Sequence, residues 1–356
     1  MENIDDIQLG LTKFRANSSK YFSLFDKHIP RFENDGKDRK FLLLGICNES
    51  VILKICALNP KAKYYIADQE ILSETLPLLD KNLDFKFYDS NLELYDIIKG
   101  IDMKFDCIIM NPPYQRNLHL KILAEAIKHL KDDGTCVNLS PDNWLMKHNV
   151  NNPIGKYRKI FNGILTNIDV ICHNDMNMLF GTGNSIEEGC IAVYSKDKSK
   201  TYIDIEQYGF NSVIEKSLYS KVSKFKDGVL SIHKAVGASA KGCYGKSNKP
   251  YSVGIYGWHG GKTCKDTVIC ENNKKPHITL FFNSENEKQN FLASLDTVFM
   301  NWYCKAFIEP GNFIIQNHFF IMSDYSQPWT DERFYKFFNI TPAEQKVIEE
   351  TMEKYK

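Results

Sequence analysis

The segment of this sequence best suited to chemistry is Asn111-Pro112-Pro113-Tyr114, which directly follows Phe105-Asp106-Cys107-Ile108-Ile109-Met110. The leading run is apolar apart from Asp106 and reads as a buried strand. Pro112 and Pro113 cannot extend a sheet ladder, and each disfavours helix at the residue before it. The tetrapeptide is therefore expected as a stiff, extended loop at a strand's carboxyl end. An aromatic amine is a poor nucleophile because its lone pair is delocalised into the ring. Two acceptors aimed at its hydrogens shift the nitrogen toward sp3 and localise that pair for attack on a sulfonium methyl. The Asn111 side-chain oxygen and the Pro112 carbonyl can be those acceptors, held without reorganisation on a proline-stiffened backbone. Tyr114 offers a ring face on which a base turned out of a duplex can stack. Such a reaction requires no nucleophile and no metal, since proximity and orientation do most of the work. Taken alone, the tetrapeptide is equally compatible with a plain turn; its surroundings favour the functional reading.

Those surroundings alternate strand and helix. Phe41 to Ile46, Tyr64 to Ala67, Phe85 to Tyr88, Phe105 to Met110 and Thr135 to Leu139 read as strands. Ser50 to Leu58, Glu70 to Leu79 and Leu118 to Leu130 read as helices, the last closed by Asp132-Asp133-Gly134 as a cap and turn. Residues 5–30 form a helical lead-in carrying Phe14, Tyr21, Phe22 and Phe25, with core packing the expected fate of Phe14 and Tyr21. Strands alternating with helices imply a parallel sheet covered on both faces, which binds ligands at the carboxyl ends of its strands. After about residue 165 the pattern changes. Leu165 to Cys172, Cys190 to Tyr194 and Tyr202 to Ile205 are strand-like, without long helices between them. Near the end, Thr341, Pro342 and Glu344 make a capped helix start.

With these residues in place, the chain resembles the adenine-specific DNA methyltransferases of restriction-modification type, amino-group methyltransferases with an Asn-Pro-Pro-Tyr motif. The likeness extends to Gly134-Thr135-Cys136-Val137-Asn138-Leu139-Ser140-Pro141-Asp142-Asn143-Trp144-Leu145, similar to the strand after the family's catalytic helix, and to the Trp329 to Met352 tail. It implies an α/β, Rossmann-like core using S-adenosyl-L-methionine, with Asn111, Pro112, Pro113 and Tyr114 as catalytic residues. It implies double-stranded DNA as partner, and a cognate restriction nuclease where the system has one. The corresponding division is a catalytic domain over 1–195, a target-recognition region over 196–322 and a helical tail over 323–356.

The resemblance also points to cofactor residues. Gly45, in Leu43-Leu44-Gly45-Ile46-Cys47-Asn48-Glu49-Ser50, stands where the family has a glycine-rich loop. The chain departs from that pattern at Leu43, where an acid is usual, and at Cys47 and Glu49, where glycines are usual. Side chains at those two positions would crowd the methionine end of the cofactor. Asp68, closing the second strand, is placed to accept both ribose hydroxyls, as an acid does there in Rossmann-like sites. Asp89, closing the third, could accept from the cofactor's adenine amine.

The net charge is only +1, so a nucleic-acid partner has to be argued locally. Residues 234–275 hold eight lysines against Asp266 and Glu271. Among them Lys241, Lys246, Lys249 and Lys262 interleave with Tyr251 and other aromatics, a pattern suited to phosphates and bases, and equally to a solvated face. Gly260-Gly261-Lys262-Thr263 lacks the earlier glycine of a phosphate loop. His259, Cys264, Cys270 and His277 match no common zinc spacing, and no metal is expected. Scattered cysteines, an acidic amino terminus without an apolar leader and the lack of any spanning apolar run favour a cytoplasmic protein. Two other readings stay open. One is glutamine methylation on a release factor, which uses the same loop. The other is a weak or inactive relative that binds nucleic acid or a partner subunit.

Overall fold

In the first strand of the chain, Leu42 and Leu44 point to one side and Phe41 and Leu43 to the other, and all four are buried. A strand apolar on both faces needs cover on both, which is the condition of a parallel sheet inside an α/β unit. The computed structural model describes residues 18–32, 36–46, 48–67, 84–88, 93–114, 117–149, 154–180, 188–223, 227–231, 243–244, 249–255, 263–269, 278–307 and 320–355. They form two compact units, 1–208 and 209–356.

The first unit is built on a seven-stranded sheet in the order β3-β2-β1-β4-β5-β7-β6. Its strands are β1 (Lys40–Leu44), β2 (Lys63–Ala67), β3 (Asp84–Phe87), β4 (Phe105–Met110), β5 (Leu130–Pro141), β6 (Leu165–Ile171) and β7 (Gly189–Ser195). All neighbouring pairs from β3 to β5 are parallel. Strand β7 runs antiparallel between β5 and β6. Helices α1 (Ser18–Asp26), α2 (Glu49–Leu58) and α6 (His173–Phe180) contribute to the core with Phe41, Leu43, Ile109 and Val137. Helices α3 (Leu94–Lys99), α4 (Leu118–Ala126) and α5 (Lys156–Phe161) contribute to the core with Leu42, Leu44, Ile108 and Met110. The fold is thus a Rossmann-like mixed α/β sheet, mostly parallel, as the alternation of elements implies.

Several expectations need correction. The helix after the Asn-Pro-Pro-Tyr loop stops at Ala126, followed by a 3-10 turn over Ile127–His129. Asp132, Asp133 and Gly134 lie within β5, so they are not a cap. The ladder between β4 and β5 shifts register between Phe105 and Cys107, and Gly134 sits at that irregularity. A Cβ there would come within 2.9 Å of the Phe105 carbonyl oxygen, so glycine is what lets the chain turn through the shift. Helices α3, α5 and α6 have no counterpart in the sequence pattern, being six to eight residues long and too short for a clear period. Residues 202–205 are not a strand; the Ile203 amide makes a single bond to the Leu165 carbonyl, 2.8 Å away. Tyr21 and Phe25 are fully buried, as the lead-in helix requires. The helix expected over Glu70 to Leu79, and Phe14, lie outside the described residues.

The second unit contains α7 (Val213–Val222), β8 (Val229–Ser231), β9 (Cys243–Tyr244), β10 (Tyr251–Ile255), α8 (Cys264–Val268) and β11 (Ile278–Phe282). It continues with α9 (Glu285–Ser294), α10 (Val298–Phe307), β12 (Phe320–Met322), α11 (Asp331–Phe338) and α12 (Pro342–Glu353). Its core is aromatic: Phe299 stacks on Phe334 at 4.8 Å and on Phe338 at 5.3 Å between ring centroids. The capping box at Thr341 and Glu344 forms as its spacing predicts. Glu344 also accepts from Lys221 at 2.6 Å, joining α12 to α7. Among the described residues, no helix is long and apolar enough to cross a membrane.

Candidate active site

Strands β1 and β4 lie side by side and parallel, yet β1 leads outward to β2 and β4 leads the other way to β5. Their carboxyl ends therefore frame the sheet's switch point, where connections diverge and leave a crevice. Both loops predicted to matter leave from there. The Asn111 amide still pairs in strand fashion, donating to the Leu44 carbonyl at 2.9 Å, and the Gly45 amide donates to the Ala67 carbonyl at 3.1 Å. Gly45 has a φ of +62°. A Cβ on it would stand 2.6 Å from the Asn111 carbonyl oxygen and 3.3 Å from the Pro112 Cα. Both the backbone conformation and the close approach demand glycine. Gly45 thus does more than bare the backbone for a cofactor; it seats the Asn-Pro-Pro-Tyr loop against the first strand.

Within that loop Asn111 is half-buried, Pro112 buried, Pro113 exposed and Tyr114 half-buried. The Tyr114 hydroxyl donates to Asn111 Oδ1 at 2.5 Å. Its ring meets His119 edge-on at 5.7 Å and Phe180 edge-on at 6.1 Å between centroids. Burial pushes the phenol above its usual range, so it keeps its proton and remains a donor at neutral pH. The sequence suggested a ring face for stacking. In the structure the hydroxyl is bound to Asn111 Oδ1, the oxygen expected to act as an acceptor.

Two polar features beside the loop are not evident from the sequence. His119, in the first turn of α4, is 1% exposed, and neither ring nitrogen has a hydrogen-bond partner among the described residues. The Tyr114 carbonyl lies near the ring without hydrogen-bond geometry. Burial lowers the imidazole pKa to about 4, leaving it neutral at physiological pH. On β5, Asn138 pairs in register with Met110, the residue before Asn111. Its Nδ2 donates to Ser140 Oγ at 3.0 Å, while its buried Oδ1 has no partner among the described residues. The only signals in the sequence were a histidine in an apolar helix and polar residues at alternate positions of a buried strand.

The cofactor positions divide. Gly45 stands at the switch point, and Leu43 is buried in the core, which explains an apolar residue where an acid is usual. Glu49 is the first residue of α2, one place after the N-cap Asn48, whose Oδ1 accepts from the Val51 amide at 3.0 Å. Cys47, Asp68 and Asp89 lie outside the described residues. Of the basic stretch, Lys249 is half-exposed just before β10, and Tyr251 opens that strand opposite Phe282, both in the second unit. Lys241, Lys246 and Lys262 lie outside the described residues. No cluster of three metal-ligating side chains occurs among the described residues.

Comparison with known families matches residues 28–174 to the methyltransferase small domain. Among solved structures, the chain is similar to TrmN from Thermus thermophilus, at 14% identity over 52% of each chain with a TM-score of 0.33. It is similar to a SAM-dependent methyltransferase from Archaeoglobus fulgidus, at 13% identity over 51% of this chain and 96% of that one, TM-score 0.33. A third is the fibrillarin/Nop5p complex, at 16% identity over 51% and 83% of the two chains, TM-score 0.34. The match spans about half the length of the TrmN chain. No curated protein matches. The family match supports a methyltransferase with S-adenosylmethionine as its cofactor. The bare, positive-φ Gly45 backbone at the switch point fits such a group.

Proposed function

We propose that this chain methylates the exocyclic N6 amine of adenine in double-stranded DNA. The observation that carries the reading is the seating of Asn111 and Pro112 at the end of β4, their backbone packed over Gly45. S-adenosylmethionine would supply a methyl group on a positively charged sulfur. Asn111 Oδ1 and the Pro112 carbonyl accept the two amine hydrogens and gather the nitrogen lone pair toward that methyl. The loop is fixed in advance by two prolines and by the Asn111 amide's bond to Leu44, so little reorganisation accompanies reaction. Gly45 packs against the Asn111 backbone carbonyl and so brings the loop expected to meet the cofactor beside the Asn111 loop, with Asp68 and Asp89 as expected partners for the cofactor's ribose and adenine.

Duplex DNA is favoured over a small acceptor by the length of chain beyond the sheet and by the eight lysines of residues 234–275. Incubation with unmethylated genomic DNA and the cofactor, followed by sequencing for methyladenine, is the direct test. Methyladenine at a recurring sequence is the expected result. Methyl transfer to a release-factor glutamine in place of DNA would overturn the substrate assignment. The lysines have their own check. Replacing Lys246 and Lys249 together by Ala should flatten the dependence of log affinity on log salt by on the order of one to two units. Affinity should weaken almost equally for cognate and unrelated duplexes.

A further inference from the structure

The Tyr114 hydroxyl and a methyl-acceptor amine compete for one atom. The hydroxyl sits 2.5 Å from Asn111 Oδ1, and the proposed chemistry, on which this inference rests, needs that oxygen to accept from the amine. An amide oxygen has two lone pairs, but a strong donor on one of them draws off the charge that the other would offer. A productive acceptor therefore displaces the hydroxyl or accepts a weakened oxygen. Displacement leaves a buried donor without a partner, which is unfavourable unless another acceptor takes the hydroxyl.

A candidate acceptor packs against the same ring. His119 is in edge contact with the Tyr114 ring, is 1% exposed, and has no partner at either nitrogen among the described residues. A neutral imidazole has one nitrogen that can only accept. Buried polar groups in native proteins are nearly always paired, so an orphan beside a catalytic loop implies a state in which it is paired. We infer that His119 is a positioning residue: it takes the Tyr114 hydroxyl when the methyl acceptor claims Asn111 Oδ1. The hydroxyl thus has two seats. Asn111 holds it in the resting protein, and His119 holds it while the amine is bound. Because burial keeps the imidazole neutral down to about pH 4, the second seat is open throughout the neutral range.

Two experiments on the full chain test this. The first uses no methyl acceptor. In Asn111→Ala the resting seat is gone, so the hydroxyl should turn to His119. Nitrogen-15 NMR of histidine-labelled protein should then show the unprotonated nitrogen of His119 moving upfield as it begins to accept a hydrogen bond. The resonance is assigned by its loss in His119→Phe. An unshifted resonance in Asn111→Ala overturns the inference. The second is kinetic. His119→Phe should lower kcat/KM by roughly tenfold, as expected for one unpaired hydroxyl. Removing the hydroxyl as well, in His119→Phe/Tyr114→Phe, should recover most of that loss. A histidine that merely packed the core would give no rescue, and a double variant no better than His119→Phe overturns the inference. A wild-type protein inactive on DNA would count against the proposed substrate alone, since the NMR measurement contains no DNA.

Discussion

The two ends of β4 hold buried polar side chains in opposite conditions. At its amino end, Asp106 is 3% exposed and fully engaged. Its Oδ1 accepts from Arg39 at 3.1 Å, and its Oδ2 accepts from the Lys40 amide and from Lys131, each at 2.8 Å. Burial alone would raise its pKa, but these three donors outweigh it and hold the carboxyl below its usual range. At the carboxyl end, His119 and Asn138 keep buried nitrogen and oxygen atoms without partners among the described residues, and Asn111 is half-open. The difference separates two uses of polarity around the two ends of one strand. The closed network fastens the amino end of the strand, while the open end leaves polar atoms unpaired among the described residues where the proposed function puts its ligands. Stability and chemistry should therefore respond to substitution at different ends.

The largest effect should come from Asn111→Ala, which removes the acceptor that the proposed mechanism sets against charge developing during transfer. Loss of about 3 kcal/mol or more of barrier stabilisation is expected, a fall in kcat beyond a hundredfold, with the unfolding midpoint barely changed. Single-turnover methylation and thermal unfolding measured together would show it; activity within a few-fold of wild type would remove Asn111 from the mechanism.

At the opposite end, Asp106→Asn should cost about 2–3 kcal/mol of stability, at the low end for a broken buried pair because Lys131 is 36% exposed. Its specific activity, corrected for folded protein, should stay near wild type. The pH dependence has a fixed sign. A carboxyl whose folded pKa is depressed contributes stability above its unfolded pKa of roughly 4, and that contribution disappears as pH falls through the folded value. Denaturant titrations across acid pH should show wild type losing more stability than Asp106→Asn. Parallel curves would show that the network contributes little.

Gly45→Ala lies between these two. Its positive φ and the 2.6 Å approach of the Asn111 carbonyl oxygen force a backbone shift, expected to cost about 1–3 kcal/mol. Because the atom displaced belongs to the loop proposed to act in catalysis, kcat should fall along with cofactor affinity measured by calorimetry. A fall in cofactor affinity with kcat untouched would mean the two loops are not mechanically linked. The smallest effect should be that of Asn138→Leu. It exchanges one hydrogen bond to Ser140 for relief of an unpaired buried oxygen, so stability should move by less than about 1 kcal/mol. A loss as large as that of Asp106→Asn would erase the contrast between the two ends.

Much of the site is legible in the amino-acid sequence, because its signals are local. Two consecutive prolines after an apolar strand define a rigid loop from covalent geometry alone, and β4 ends at Met110 as that pattern requires. The capping box at Thr341 is local in the same sense. Strand β5 is harder to read. Its residues Lys131 to Gly134 are polar and turn-like and fall in the register shift between Leu130 and Thr135, so only the pairing of the residues flanking them carries the strand through. Helices α5 and α6 lie between strands that the sequence does show, but a helix of six to eight residues completes barely two turns and leaves no readable period.

The sequence by itself determined the α/β alternation and the position of the Asn-Pro-Pro-Tyr loop at a strand end, and it suggested the chemistry proposed for Asn111 and Pro112. Each follows from side-chain type and spacing within a dozen residues. Tertiary structure alone decided what stands beside what. Strand order brings Gly45, distant in sequence, under the Asn111 carbonyl. The packing of α4 and α6 sets His119 and Phe180 against the Tyr114 ring. The loop's own path turns the Tyr114 hydroxyl onto Asn111 Oδ1. Hydrogen bonding and exclusion of water depend on distances of a few ångströms between residues remote in sequence, and no local pattern encodes those distances.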